Sequence, residues 1–237
     1  MTEGPGYNQF CPVAMAAEVL CSRWTMLVLR ELLAGSTRFN ELRRGVPRMS
    51  PALLSKRLRE LESVGVIVRG TDARNEHPSY TLTEAGKDLM PVVVAMGGWG
   101  QRWLEAQLSL KNLDPSLLMW DMRRNLDPSP LPPRRVTIEF LYPDVSPTRR
   151  RWWLVVDAGE IDLCSVDPGF DVDLHVTTDL RTMTAIWMGL TTVRAASGDD
   201  KLSLDGDPTV AGQMQHWLGL SPFAKEQRRV AARQAAV

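Results

Sequence analysis

Long apolar runs are missing from this sequence. Nowhere in its 237 residues do the roughly 18 consecutive apolar side chains needed for a bilayer span occur. The opening MTEGPGYNQF also lacks the basic and then apolar order of a secretory signal. Cysteine is scarce. Cys11, Cys21 and Cys164 form neither an even-numbered disulfide framework nor metal-ligand spacing. These absences predict a reduced, cytoplasmic protein, off the membrane and without metal or cofactor. Net charge is also lacking, since 28 Lys+Arg balance 28 Asp+Glu. Catalytic signatures are absent too: there is no phosphate-binding glycine loop, no GxSxG nucleophile elbow and no HExxH. Asp157, Glu160 and Asp162 alternate near a turn signal and read as solvated carboxylates. His77, His175 and His216 have no recognisable partners. The expectation is a protein that is not an enzyme.

What is present is distributed unevenly. Residues 23–74 carry 11 Lys+Arg against 5 Asp+Glu, a cationic segment inside a neutral chain. Length favours two domains or one large one, and 44% hydrophobic content lets each half bury a core.

Pro12 suits the first position of a helix, and Val13, Ala16, Ala17 and Leu20 give it a small apolar face. Arg23 to Ala34 carries Trp24, Leu27, Val28, Leu29, Leu32 and Leu33 and predicts a central core helix stopped by Gly35. Phe39, Leu42 and Val46 recur at helical spacing, with Arg43 and Arg44 off the stripe and Pro47 ending it. Ser50 is a good N-cap and Pro51 suits the first turn, so another helix opens there. At 100° per residue, Leu58, Leu61 and Gly65 fall within about 40° of Leu54. Ala52, Ser55, Lys56, Arg59 and Ser63 take the opposite side.

Val66–Val68 and Ser79–Thr83 read as paired strands around the polar tip GTDARNEHPS. From Glu84 a longer helical pattern runs to about Leu110, interrupted by Pro91 and Gly97-Gly98. Its apolar band of Leu89, Val92, Val93, Met96, Trp99, Trp103 and Leu104 is too large for a small domain to cover alone, and a two-fold dimer contact explains it economically. Three helices, then two strands with a polar tip, describe a winged helix-turn-helix, whose third helix fits the DNA major groove. The candidate DNA contacts are Arg38, Asn40, Arg48, Ser50, Ala52, Ser55, Lys56 and Arg59, with Arg74 and Asn75 in the wing.

The stretch from about residue 10 to 105 resembles the HxlR family of winged helix regulators, related to the MarR regulators. The carrying residues are CPVAMA with Cys11, the RW at Arg23 and Trp24, LRELLAG from Leu29, FNELRRGVP from Phe39, SPALLSKRLRELESVG from Ser50 and YTLTEAG from Tyr80. The resemblance implies a homodimer on double-stranded DNA, at a pseudo-palindromic operator, with a recognition helix beginning at Ser50. It also implies control by oxidants or electrophiles at Cys11, since a helix N-terminus favours thiolate; the alternative is a small apolar residue at the dimer contact.

Composition changes at Asn112. A short helix over 114–126 and a stiff DPSPLPP connection precede apolar segments at Val136–Leu141 and Trp152–Val156, then alternating ones at Glu160–Val166 and Asp171–Thr177. Asp179 caps a helix bearing Leu180, Met183, Ile186, Trp187 and Leu190. Lys201–Leu204 is a further strand, and Pro208 opens a helix with Val210, Met214, Trp217 and Leu218. The whole is an α+β protein: an N-terminal winged helix-turn-helix with a dimerisation helix, and a C-terminal sheet with helices on one side. The second part resembles the sterol carrier protein-like fold through VVDAGEIDL from Val155, DPGFDVDLHVTTDL from Asp167, IWMG from Ile186 and LSLDGDPTVAGQMQHWL from Leu202. That resemblance implies a pocket for an apolar small-molecule effector, with Trp152, Trp153, Met183, Trp187, Met188, Met214 and Trp217 as candidate lining.

The expected organisation is a winged domain over 1–111, an effector domain over 112–226 and a tail over 227–237. The function expected is sequence-specific transcription regulation, most simply repression. The alternative from another class is a lipid or small-molecule carrier whose winged domain is only a dimerisation scaffold.

Overall fold

The computed structural model describes residues 6–71, 78–104 and 110–229. The chain divides into two compact units, residues 1–97 and 98–237.

In the first unit Cys11 and Pro12 open α1 (Pro12–Leu20), none of whose residues is buried. The second helix, α2 (Thr25–Leu33), starts two residues later than the apolar run predicts. Trp24 takes a left-handed φ of 80°, which places it outside the helix as its N-cap. Gly35, at φ 92°, ends the turn after α2 in a conformation that glycine adopts without strain. α3 (Phe39–Gly45) and α4 (Pro51–Ser63) follow. Ser50 caps α4 by accepting from the Leu53 N–H at 3.3 Å, and Pro51 sits where no N–H is needed. Leu54, Leu58 and Leu61 are buried on the face that their spacing predicts.

These leucines join Val28, Leu29, Leu32, Leu42, Val46, Met49, Val66 and Ile67 in one core. β1 (Ile67–Thr71) and β2 (Pro78–Leu82) pair antiparallel from Ile67↔Leu82 to Thr71↔Pro78. Thr83 locks the hairpin to the following helix. Its hydroxyl donates to the Gly65 carbonyl at 2.7 Å and accepts from the Gly86 N–H at 3.2 Å. A side chain at Gly86 would collide with the Val66 carbonyl, so the glycine of the TEAG run allows close packing.

α5 (Glu84–Lys87) is short, and α6 runs unbroken from Met90 to Trp103. The expected interruption at Gly97-Gly98 does not occur. Two glycines cost a helix only about 1 kcal/mol each, and Pro91 lies in the first turn where its missing N–H is harmless.

The second unit is an α+β layer with a mixed five-stranded sheet. Its elements are α7 (Pro115–Asn125), β3 (Val136–Leu141), β4 (Arg151–Asp157), β5 (Glu160–Cys164) and β6 (Leu174–Thr178). They are followed by α8 (Leu180–Trp187), α9 (Val193–Gly198), β7 (Leu202–Gly206), α10 (Pro208–Gly212) and α11 (Met214–Trp217). The sheet order is β5-β4-β3-β6-β7, with β3 and β6 parallel and every other pair antiparallel. Ala158 and Gly159, at φ 48° and 83°, form the tight two-residue turn between β4 and β5. Asp179 caps α8 through the Thr182 N–H at 2.7 Å. The helical pattern from Pro208 is split at Gln213 into α10 and α11.

Val136, Ile138 and Phe140 of β3 and Trp152, Leu154 and Val156 of β4 face one core together with Met119, Met122, Met183, Ile186, Trp187, Met214 and Trp217. Arg123 of α7 donates from Nε to the Ile161 carbonyl of β5 at 2.8 Å, tying that helix to the sheet edge.

Candidate nucleic-acid interface

The segment entering α3 is held against the hairpin by backbone. The Tyr80 N–H donates to the Thr37 carbonyl at 2.8 Å, and Arg38 bridges to Ser79. Glu41 fixes the helix start, its Oε2 accepting from the N–H groups of Thr37 and Arg38 at 3.0 and 3.1 Å. Beneath α3, the buried carboxylate of Glu31 accepts from the Arg30 guanidinium at 2.7 Å, and the same guanidinium donates to the Gly45 carbonyl at 2.8 Å. Gly45 lies so close to the Glu31 carboxylate that an added Cβ would overlap it.

This scaffold places Arg38, Asn40 and Ser55 around one open cleft of about 660 Å³, also lined by Phe39, Glu41, Arg44, Pro78 and Tyr80. Ser50, Ala52, Lys56 and Arg59 are exposed along α4, and Arg48 is exposed before it. Lys56 lies 4.0 Å from Glu60, one turn on. Arg57 has a different job. It pairs with Glu60 and donates from Nε to the Arg23 carbonyl at 3.1 Å, so it braces α4 against the start of α2. Arg74 and Asn75 lie outside the described residues, as does His77.

Sequence reasoning missed Arg44 and Tyr80 as neighbours of Arg38 and Ser55. Arg44 was legible as a cation off the apolar stripe, whereas Tyr80 comes near only through the hairpin.

In the second unit Trp152, Met183, Trp187, Met214 and Trp217 share one core, and Met188 packs against it half-buried. Trp153 does not join them, because neighbours on a strand point to opposite faces of the sheet. Two of the shared tryptophans satisfy their ring N–H internally: Trp217 donates to the Val210 carbonyl and Trp152 to the Arg149 carbonyl, each at 2.8 Å.

His175 has a partner that its sequence neighbourhood does not show. Its Nδ1 lies 2.6 Å from Oε2 of the buried Glu139, which also binds Arg151. Cys11 is the half-exposed N-cap of α1 and Cys21 the exposed C-cap of the same helix, both free thiols. Among the described residues no group of three or more His, Cys, Asp or Glu side chains is placed to hold a metal ion.

A helix-turn-helix with a β-hairpin wing, carrying polar side chains on the open face of the Ser-capped α4, defines the first unit as a winged helix module. The family model described as HxlR-like helix-turn-helix matches residues 19–108. The uncharacterized HTH-type transcriptional regulator YvaP of Bacillus subtilis (strain 168) is 37% identical over 102 residues, which cover 41% of this chain and 93% of that protein. The uncharacterized HTH-type transcriptional regulator sll1512 of Synechocystis sp. is 39% identical over 103 residues, covering 42% of this chain and 75% of that one. Among solved structures, the redox regulator HypR in its reduced form is 34% identical, covers 38% of this chain and 91% of that chain, and superposes with a TM-score of 0.36. The chain belongs to the HxlR-like helix-turn-helix family, and the likeness lies in its N-terminal part.

Proposed function

We propose that this protein is a transcription regulator that binds double-stranded DNA as a homodimer and represses by occupying a pseudo-palindromic operator. The observation that carries this reading is the surface built by α3 and α4. Ser50, Ala52, Ser55, Lys56 and Arg59 stand exposed or half-exposed on a helix whose leucine face is buried, with Arg38 and Asn40 beside it at the cleft. Residues near such a helix start read base edges, while Arg59, farther along, and Arg48 suit phosphate. The named relatives are HTH-type transcriptional regulators, in keeping with this reading.

Dimerisation through the N-terminal part accounts for two exposed surfaces. α1 buries none of its residues, and α6 exposes Val92, Met96, Trp99 and Trp103. We assign residues 1–111 to DNA binding and dimerisation, 112–226 to a sterol carrier protein-like effector domain and 227–237 to a tail. The methionines that the helices bring to the core beneath the sheet support an apolar effector, because methionine side chains repack readily. Any control by that effector requires different affinities for the DNA-competent and DNA-incompetent dimers. Control through Cys11 at the start of α1 is a further element of the proposal.

The test is selection of bound genomic fragments by the purified protein at about 0.15 M salt. One enriched inverted repeat is the expected result. Absence of any enriched motif from natively folded protein would overturn the regulator reading in favour of a carrier.

A further inference from the structure

A helix leaves its last carbonyls without partners inside it, and many helices supply a glycine just past the end to satisfy them. α6 ends at Trp103, and Leu104, Glu105 and Ala106 follow, so no glycine is at hand. Partners come instead from the far end of the chain. The Arg229 N–H donates to the Arg102 carbonyl at 2.9 Å. Arg228 donates from Nη1 to the Leu104 carbonyl at 3.0 Å and from Nη2 to Oε1 of the buried Gln101 at 3.4 Å. Glu226 pairs with Arg102 at 2.8 Å, and the Arg229 guanidinium lies 5.9 Å from the centre of the Trp103 ring. Arginines thus stand where a helix C-terminus carries partial negative charge.

The same segment is anchored on α8. The Ser221 N–H donates to the Trp187 carbonyl at 2.8 Å. Gly189, at φ 69°, leaves room for Ala224, which a Cβ there would meet at 2.9 Å. Gln101 completes the link, donating from Nε2 to the Met188 carbonyl at 3.3 Å. Ile186 and Trp187 of α8 belong to the core of the second unit. Residues 221–229 therefore form a strap from the end of α8 to the end of α6.

We propose that this strap is the C-terminal cap of α6, and that its seating orders the last turn of that helix and so sets the strength of the dimer. Its bonds to α6 are few, and the Arg102–Glu226 pair is half-exposed, so the strap opens at small cost. A helix end that loses its partners frays. Trp103 ends the exposed stripe of α6, and fraying takes it out of the surface offered to a second copy. A change at the end of α8 reaches α6 through the strap and Gln101. The effect on dimerisation rests on the α6 contact proposed above, whereas the capping does not.

The experiment compares the full chain with Arg228→Gln, Arg228→Lys and a chain ending at Lys225, which keeps the anchor on α8. Hydrogen–deuterium exchange reads the helix end, and sedimentation equilibrium reads the dimer. In the shortened chain and in Arg228→Gln, the amides of residues 101–104 are expected to exchange about tenfold faster, with those of β3 unchanged. The dimer dissociation constant of the shortened chain is expected to rise about tenfold. Arg228→Lys should recover part of the effect, because it keeps the cation at the helix end without the planar fork.

Unchanged exchange at 101–104 overturns the cap, and so does equal acceleration in β3, which would make the strap a general support of the second unit. Arg228→Lys behaving like Arg228→Gln overturns the part assigned to charge. Faster exchange at the helix end with an unmoved dimer constant overturns the link to assembly. A monomeric full chain removes the α6 contact and that link together, while the exchange result still decides the cap.

Discussion

Gly45 shows how one missing side chain can decide a local structure. Its Cα occupies space against the buried Glu31 carboxylate, which Arg30 neutralises from the partly exposed side. Gly45→Ala has to push that carboxylate or α3 aside, and overpacking of this kind costs about 1–3 kcal/mol. Chemical denaturation of the variant should show a lower midpoint with an unchanged slope. Tyr142 supplies a pH prediction. It is fully buried, its hydroxyl donates to the Met119 sulfur at 3.1 Å, and burial, helped by Asp144, pushes its ionisation far above the usual tyrosine range. The unfolded chain releases this proton near pH 10 while the folded chain keeps it. Stability from this group is therefore complete below about pH 10 and falls as pH rises beyond it. Tyr142→Phe should flatten that alkaline decline, as read by urea unfolding at pH 9, 10 and 11 (roughly one unit either side of the reference value).

At the scale of the element, α4 divides its cations into two jobs. Lys56 stands on the open face with a long contact to Glu60, while Arg57 is tied to Glu60 and to the Arg23 carbonyl. Lys56→Ala should weaken operator binding by about 1–3 kcal/mol, the worth of a base contact, and leave the melting temperature unchanged. Arg57→Ala should lower thermal stability instead, because hydrogen bonds made by a charged group contribute about 1.5–3 kcal/mol. Equal effects of the two variants on DNA affinity, measured by fluorescence anisotropy, would contradict this division.

The leucine stripe of α4, its Ser50 cap and its proline start were all legible in the chain, because helical period and capping are local properties. The role of Arg57 was not legible. The carbonyl it binds lies 34 residues away and comes within reach only when α2 and α4 pack. The same holds for His175, whose partner Glu139 is 36 residues distant on the parallel strand beside it. The placement of Trp153 is the opposite case, since strand alternation alone separates it from Trp152.

For the molecule as a whole, the exposed stripe on α6 bears on assembly. With Val92 at zero and 100° per residue, Met96, Trp99 and Trp103 fall within about 40° of it, and all four are exposed. Met96→Glu and Trp99→Glu should each shift the protein from dimer to monomer in light scattering, and weaken DNA binding with it, because one half-site replaces two. A monomeric wild type, or dimeric variants, would remove α6 from the dimer contact.

The sequence by itself determined the first four helices and the hairpin that follows them, the leucine face and cap of α4, and the family likeness. Each depends on residues within a few turns of one another. It did not determine that α6 runs through two glycines, that Trp24 turns left-handed ahead of α2, or that Arg38, Arg44, Ser55 and Tyr80 surround one cleft. Those outcomes were decided by tertiary structure. Packing free energy outweighs a glycine penalty of about 1 kcal/mol, and contacts between distant residues exist only once the chain has closed.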